Sequence, residues 1–451
     1  MNSARRERYL VGAGLILLLL VGAELLCHRP GAVSTIGSDE RLRYFIGLEC
    51  LAGAVYFGAV WLVRSGPLPA RTAWLVLGLG FGMRVLPLVW PPFLSSDLFR
   101  YVWDGRVQAQ GINPYRYLPA APQLEFLRDN EIYASVNRSE EAPTIYPPVA
   151  QIIFAAIGQI WSSITMVKIV MAGFEAVTIV TIAILLRRAA LPMAGVLVYA
   201  WNPLPLWEYA GNGHIDAASI AFIALAMLLA STARQGWAGL LLGAAILCKL
   251  LPAAVFPAFW RRWDWRMLAT TLGVIVLLYA AYAVGAGWHV LGYLPGYAAE
   301  EGLDSGSGFF LLRAARQFVP LPAWTARAYL AVAAIALLGL AAYYMLGRPH
   351  PTTPGGRIIG IGRAGAVLAT ATTIALSPHY PWYLGWLALF ACFAPYRSVI
   401  YLSVSGVILY VDPYHREAIY PWLIYGPALV LAAFDVAQAH RARTAPSMES
   451  R

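Results

Sequence analysis

Charge is scarce in this chain. Only 12% of its 451 residues are charged, while 59% are hydrophobic; a soluble globular protein carries roughly 25% charged residues. This shortage excludes a soluble fold, because no single core could hide so much apolar surface, and it makes the bilayer the main solvent. Lysine is scarcer still, occurring only as Lys168 and Lys249. The four cysteines, Cys27, Cys50, Cys248 and Cys392, lie in or beside apolar runs without a C-x-x-C or a nearby His pair. That argues against a disulfide framework or a zinc site and for buried thiols. The first 27 residues, MNSARRERYLVGAGLILLLLVGAELLC, have the basic head and apolar stretch of a signal peptide but no small-x-small cleavage site. Leu26 also spoils a lipoprotein-type cysteine site, so the segment reads as an uncleaved first span. No internal repeat relates the two halves.

What is present is a succession of apolar runs of about 20 residues, the length that crosses the hydrocarbon core. They fall at 9–27, 44–63, 73–90, 166–186, 192–208, 215–232, 266–285, 323–346, 361–377, 382–394, 398–411 and 420–437. The expectation is an all-α polytopic membrane protein of about twelve spans, within two either way. The net charge of +10 comes from short basic clusters between these runs. That is the positive-inside bias of a membrane protein rather than a nucleic-acid surface. Arg5, Arg6 and Arg8 place the N-terminus inside. If 146–161 and 236–260 do not cross, then Arg64, Arg71, Arg187, Arg188, Arg234, Arg261, Arg262, Arg266, Arg348, Arg357, Arg363, Arg397, Arg441 and Arg443 are all cytoplasmic. One assumption thus satisfies every loop. The segment 236–260 has Lys249, Leu250, Leu251 and Pro252 at its centre. Its arms are too short to span at 1.5 Å per residue, and Pro252 stops the helix, so it reads as a re-entrant hairpin. The whole is one membrane domain over 1–437, with large external loops at 91–148 and 286–322 and a cytoplasmic tail at 438–451.

This topology collects four polar stretches on the outer face: 95–148, WEYAGNGHID (207–216), 296–318 and LSPHYPWYLGW (376–386). In the first, Asp97, Tyr101, Asp104 and Gln108 recur at helical spacing and line one face. Ser95 and Ser96 can cap that helix, and Gly111 with Asn113-Pro114 ends it. It reads as an amphipathic helix in the interface plane, alternatively as a surface helix with solvated charges. An aspartate held near lipid is costly without a task or a partner. In AGNGHID, Asn212, His214 and Asp216 begin a span. Asp216 could orient His214, Asn212 and His214 could hold hydroxyls, or Asn212 and Asp216 could simply cap.

These residues carry a resemblance. SSDLFRYVWDGRVQAQGINPY resembles the first external loop of the GT-C superfamily of membrane glycosyltransferases, which use polyprenyl-phosphate sugars as donors. The likeness is closest to bacterial polyprenyl-phosphomannose-dependent mannosyltransferases and more distant to the first mannosyltransferase of glycosylphosphatidylinositol assembly. The family's G-x-S-P-Y and Y-x-Y-T-P are matched by Gly111-Ile112-Asn113-Pro114-Tyr115 and Thr144-Ile145-Tyr146-Pro147-Pro148. Trp201-Asn202-Pro203-Leu204-Pro205, Gly211-Asn212-Gly213-His214 and the Lys-x-x-Pro break at Lys249–Pro252 follow in order. The match covers most of 73–260. Asp97 is preceded by serine, and Asp104 lies seven residues on. With no Asp-x-Asp, no metal site is expected.

The resemblance implies transfer of a hexose, mannose by likeness, from a polyprenyl-phosphate donor to a hydroxyl of an envelope glycolipid or glycan at the outer face of a bacterial inner membrane. It implies direct displacement with inversion. Asp97 is the expected general base. Lys249, Arg100, Arg313 and His379 are the candidates for the departing phosphate, and Tyr101, Asp104, Tyr146, Asn212, His214, Asp216 and Tyr380 are candidates for binding substrate. The expected partners are the lipid-linked donor, the glycan acceptor and the bilayer, with no cofactor and no nucleic acid. The rival reading is a transporter or flippase of a lipid-linked sugar, built from the same broken helices.

Overall fold

The structure, a computed structural model, describes residues 1–27, 40–347, 351–412 and 419–444. Arg348 and the distal tail from 445 lie outside the described residues. Every regular element among the described residues is helical. In chain order the main helices are α1 (Ser3–Leu25), α2 (Glu40–Arg64), α3 (Arg71–Val85), α4 (Asp97–Ala109), α5 (Pro148–Trp161), α6 (Ile164–Arg188), α7 (Asp216–Ser231), α8 (Gln235–Ile246), α9 (Trp265–Ala283), α10 (Phe310–Arg316), α11 (Thr325–Leu346), α12 (Pro354–Leu376), α13 (Arg397–Ser405) and α14 (Ile419–Thr444). The chain is a multi-pass membrane protein.

By length and apolarity, eight helices qualify as spans among the described residues: α1, α2, α3 with its extension to Val89, α6, α9, α11, α12 and α14. A ninth is reached if Pro203–Gly211 and α7, bent by 117°, are counted together. The expected count of twelve is therefore not reproduced. The shortfall lies in runs that proline and glycine break up. Residues 192–208 become a 3-10 turn, short helices at Leu197–Ala200 and Pro203–Pro205, and the start of a π-helical turn at Leu206–Gly211. Residues 382–394 become a 3-10 turn ending at Leu384 and a short helix, Leu387–Ala391. These pieces are buried in protein, the setting in which broken backbone is tolerated at membrane depth.

Contacts between helix ends show which ends share a side. Lys168, near the start of α6, donates to the carbonyls of Pro87 and Trp90 at 2.5 and 2.6 Å. The chain from 90 to 164 thus leaves and returns at one end. Within it α5, at 14 residues, reaches about 21 Å, short of the roughly 30 Å hydrocarbon core. At the other end Arg71 pairs with Glu7 at 2.7 Å and Arg6 donates to Pro67, while Arg357 reaches the carbonyl of Ser231. Arg261, Arg357 and Arg363 line one cavity of about 420 Å³ with Gln235. The chain from 235 to 261 therefore also starts and finishes on one side and turns at 247–250.

Helix α4 differs from its expected setting. It is not an interface helix with one wet face, because Leu98 through Gly105 are all buried. Its polar row packs on α5. A Cβ on Gly158 would lie 2.3 Å from the Gly105 carbonyl oxygen, and one on Gly105 would lie 2.4 Å from the Phe154 carbonyl oxygen. The two helices touch backbone to backbone, which only glycine permits.

Candidate active site

The helix start at Asp97 is set by Ser95, whose Oγ accepts the Asp97 backbone N–H at 3.2 Å; Ser96, at the cap position, makes no side-chain cap bond. The end is set by Gly111 at φ +71°, and by Asn113, whose Oδ1 accepts from Tyr115 N–H. Down the helix, the polar row expected to face a substrate is consumed internally. Asp104 accepts from Arg100 at 3.0 Å, from Thr144 at 2.7 Å and from Gln151 at 2.9 Å. Arg100 also donates to the carbonyls of Asn137, Ala142 and Pro143. Burial pushes the Asp104 carboxyl above its usual range, opposed by Arg100 and the two hydrogen-bond donors. Arg100 and Asp104 thus tie the 137–144 loop to α4 and α5. Tyr101 stacks on Phe154 at 4.4 Å and stands edge-on to Tyr146.

Of α4, Asp97 at its tip lines the main cavity, of about 1000 Å³, together with Tyr146, Lys249, His379 and Tyr380. Asp97 accepts from Asn137 Nδ2 at 2.8 Å. Lys249 stands at the turn after α8, ion-paired with Asp216 at 2.7 Å and 4.0 Å from the centre of the Tyr383 ring. Ser377, at φ +47° after α12, turns the chain back. His379 then lies on the cavity wall, its Nδ1 3.5 Å from Glu301, and Tyr380 stacks on Trp382 at 4.6 Å. Part of the wall is apolar: Leu250, Leu251, Ala254, Leu303 and Leu376.

Other expected contributors sit behind the wall or away from it. Asn212 accepts from Leu94 N–H and donates to Glu208, both at 3.3 Å. His214 is not oriented by Asp216, which is taken by Lys249; it lies between Asp97 and Glu208 instead. Arg313, on α10, lies in the field of Asp412 and is not part of the wall.

Two residues that sequence reasoning missed complete the site. Arg138, in the left-handed region at φ +50°, is ion-paired with Glu300 across the cavity mouth. Burial disfavours its charge, but Glu300 outweighs that and holds the guanidinium charged beyond its ordinary value. Tyr380 donates to the same carboxylate at 3.0 Å. Both residues stand inside polar stretches, so their presence at this face was legible. Their pairing across 162 positions was not. Among the described residues no group of three or more His, Cys, Asp or Glu is placed to hold a metal ion.

A carboxylate and a lysine face one cavity with a partly apolar wall between membrane helices, which is the layout of an integral membrane enzyme. The particular family follows from comparison. Residues 10–264 match the alpha-(1->6)-mannopyranosyltransferase family (MptA_B family), N-terminal domain, and the chain belongs to it. It is a mannosyltransferase of the GT-C type, a hexosyltransferase by reaction class. No curated protein and no solved structure matches the chain.

Proposed function

We propose that the cavity around Asp97 transfers mannose from a polyprenyl-phosphate donor to a hydroxyl of an envelope glycolipid or glycan, at the outer face of a bacterial inner membrane, with both termini cytoplasmic. The observation that carries this reading is the shared wall: Asp97 and Lys249 face the same space, which continues along an apolar surface suited to an isoprenoid. Asp97 is the general base for the acceptor hydroxyl. Lys249 opposes the charge that develops on the departing phosphate. Arg138 joins it once the phosphate displaces Glu300, and His379 lies on the same wall. Tyr146 and Tyr380 offer faces and hydroxyls to the sugar. Arg100, Tyr101, Asp104, Asn212, His214 and Asp216 act from behind the wall, by holding those that touch. The proposed sidedness rests on the loops: those at the end opposite Asp97 carry arginines with few carboxylates, while the loops at the Asp97 end mix both signs.

The test is donor class. Purified protein in liposomes, given acceptor lipid extract, is expected to transfer label from radiolabelled polyprenyl-phosphate mannose and not from a nucleotide-linked mannose. Transfer from the nucleotide donor overturns the reading. Movement of the lipid-linked sugar across the bilayer without a new glycosidic bond would support the flippase instead.

A further inference from the structure

Behind the cavity wall lies a line of groups that the transfer reaction, as described so far, does not use. His214 is fully buried, and neither ring nitrogen has a hydrogen-bond partner. Yet Nδ1 lies 3.7 Å from Asp97 Oδ2 and Nε2 lies 3.4 Å from Glu208 Oε2. A buried imidazole with both nitrogens unsatisfied costs free energy unless a function holds it there. Here each nitrogen is aimed at a different carboxylate, one on the cavity wall and one in the interior. The ring cannot drift, because it stacks on Trp382 with centroids 4.0 Å apart and planes within 22°.

Glu208 is held as firmly. It projects from the π-helical turn Leu206–Gly211, an irregularity that recurs at functional positions. Its Oε1 accepts from Tyr410 OH at 2.7 Å and its Oε2 from Asn212 Nδ2 at 3.3 Å. Asn212 in turn accepts the Leu94 N–H, tying Glu208 to the strand of chain that enters α4. The remaining charges facing this line are few. Lys249 acts on His214 from the cavity side and is itself paired with Asp216. Arg138, Tyr101 and Tyr146 lie in the field of Asp97. Tyr380 and Tyr410 also lie in the field of Asp97; Asp216 faces both Asp97 and Glu208, and Glu49, on α2, lies in the field of Glu208.

We propose that Asp97, His214 and Glu208 form a proton relay, with His214 and Glu208 as positioning residues that act through Asp97. The proposal rests on Asp97 being the general base. As the acceptor oxygen bonds to the anomeric carbon, the carbon–oxygen bond to the lipid phosphate breaks and the phosphate leaves with the electron pair. The hydroxyl proton goes to Asp97. Neutral His214 keeps its proton on Nε2, toward Glu208, and its Nδ1 lone pair faces Asp97. That lone pair repels the free carboxylate and accepts a hydrogen bond from the protonated one. The interaction therefore strengthens as the proton arrives, which is the condition for catalysis. The Asp97 proton then passes to Nδ1 as the Nε2 proton passes to Glu208, so the base is restored while sugar and lipid still fill the cavity. After product release the protons return by the same path, Glu208 to Nε2 and Nδ1 to Asp97, and the proton leaves Asp97 to water in the emptied cavity. No oxidant, metal or further reactant is required.

The experiment uses full-length protein in liposomes with polyprenyl-phosphate mannose. It measures the pH profile of kcat/KM and the rate in H2O–D2O mixtures for wild type, His214→Gln, Glu208→Gln and Asp97→Asn. Wild type is expected to give a curved dependence on deuterium fraction, two protons being in flight, and His214→Gln a straight one with kcat lowered about 10- to 100-fold. Glu208→Gln removes a negative charge behind the base, so the acid limb of the profile moves to lower pH by about one unit or more. Glu208→Gln keeps the shape of the site if His214→Gln fails to fold. A merely structural role would lower activity without moving the limb or straightening the isotope curve. Glu208→Gln with an unmoved limb, alongside an inactive Asp97→Asn, overturns the relay alone. An active Asp97→Asn overturns the base and the relay together.

Discussion

Asp97→Asn is expected to abolish mannose transfer while the protein folds and binds its donor. The substitution keeps the side-chain shape, and its amide oxygen can still accept from Asn137, which bonds Asp97 at 2.8 Å. What disappears is a proton acceptor at the tip of α4. A positioned base contributes about 10²- to 10⁴-fold, so kcat falls by that order and the affinity for polyprenyl-phosphate mannose changes little. Turnover under saturating donor and a binding titration on the same preparation separate the two quantities. A parallel loss of binding would mean that Asp97 holds substrate rather than performing the proton transfer.

Lys249 carries the second large effect, and its interpretation needs a partner. Lys249→Met removes the ammonium facing the donor phosphate, but it also strands Asp216, which is buried and bonded to it at 2.7 Å. Removing one member of a buried pair destabilises by about 3–5 kcal/mol, which by itself would depress activity. The double variant Asp216→Asn, Lys249→Met strands no charge. Its thermal stability in detergent should return toward that of wild type. Its donor affinity should remain about 10- to 150-fold weaker, the equivalent of one charge-assisted hydrogen bond of about 1.5–3 kcal/mol. If the double variant recovers donor binding along with stability, Lys249 is a partner for Asp216 and nothing more.

The sequence was informative where the signal was local. Apolar length exposed α1, α2, α3, α6, α9, α11, α12 and α14. Gly111 and Asn113 marked the end of α4, and Pro252 marked a break beside Lys249. It misled where a helical row of polar side chains had two possible partners. Asp97, Tyr101, Asp104 and Gln108 do share a face, but that face meets α5 and the loop before it, where Gln151 and Thr144 satisfy Asp104. Gly105 and Gly158 were the available hint of so close a contact, and no periodicity distinguishes it from a wet face. It was silent on pairs far apart in the chain: Arg138 with Glu300, Tyr410 with Glu208, His214 between two carboxylates. Such partners are chosen by helix packing, and a single chain's pattern does not encode which loops meet. The count of twelve spans is not confirmed, for a related reason. Runs such as 192–208 are apolar because they are buried in protein, so their hydropathy resembles that of a crossing helix while Pro203 and Pro205 break them.

Asp97, Glu300 and Glu301 all line the cavity, so a single displacement, with Asp97 as base, competes with a double displacement in which a carboxylate attacks the sugar. The anomeric configuration of the product decides between them. With a lipid donor of known configuration and purified protein, the new mannosidic linkage, assigned by NMR, is expected to have the opposite configuration, with no mannose attached to the protein at any stage. Retained configuration, or mannose trapped on a carboxylate of the enzyme, would contradict the account.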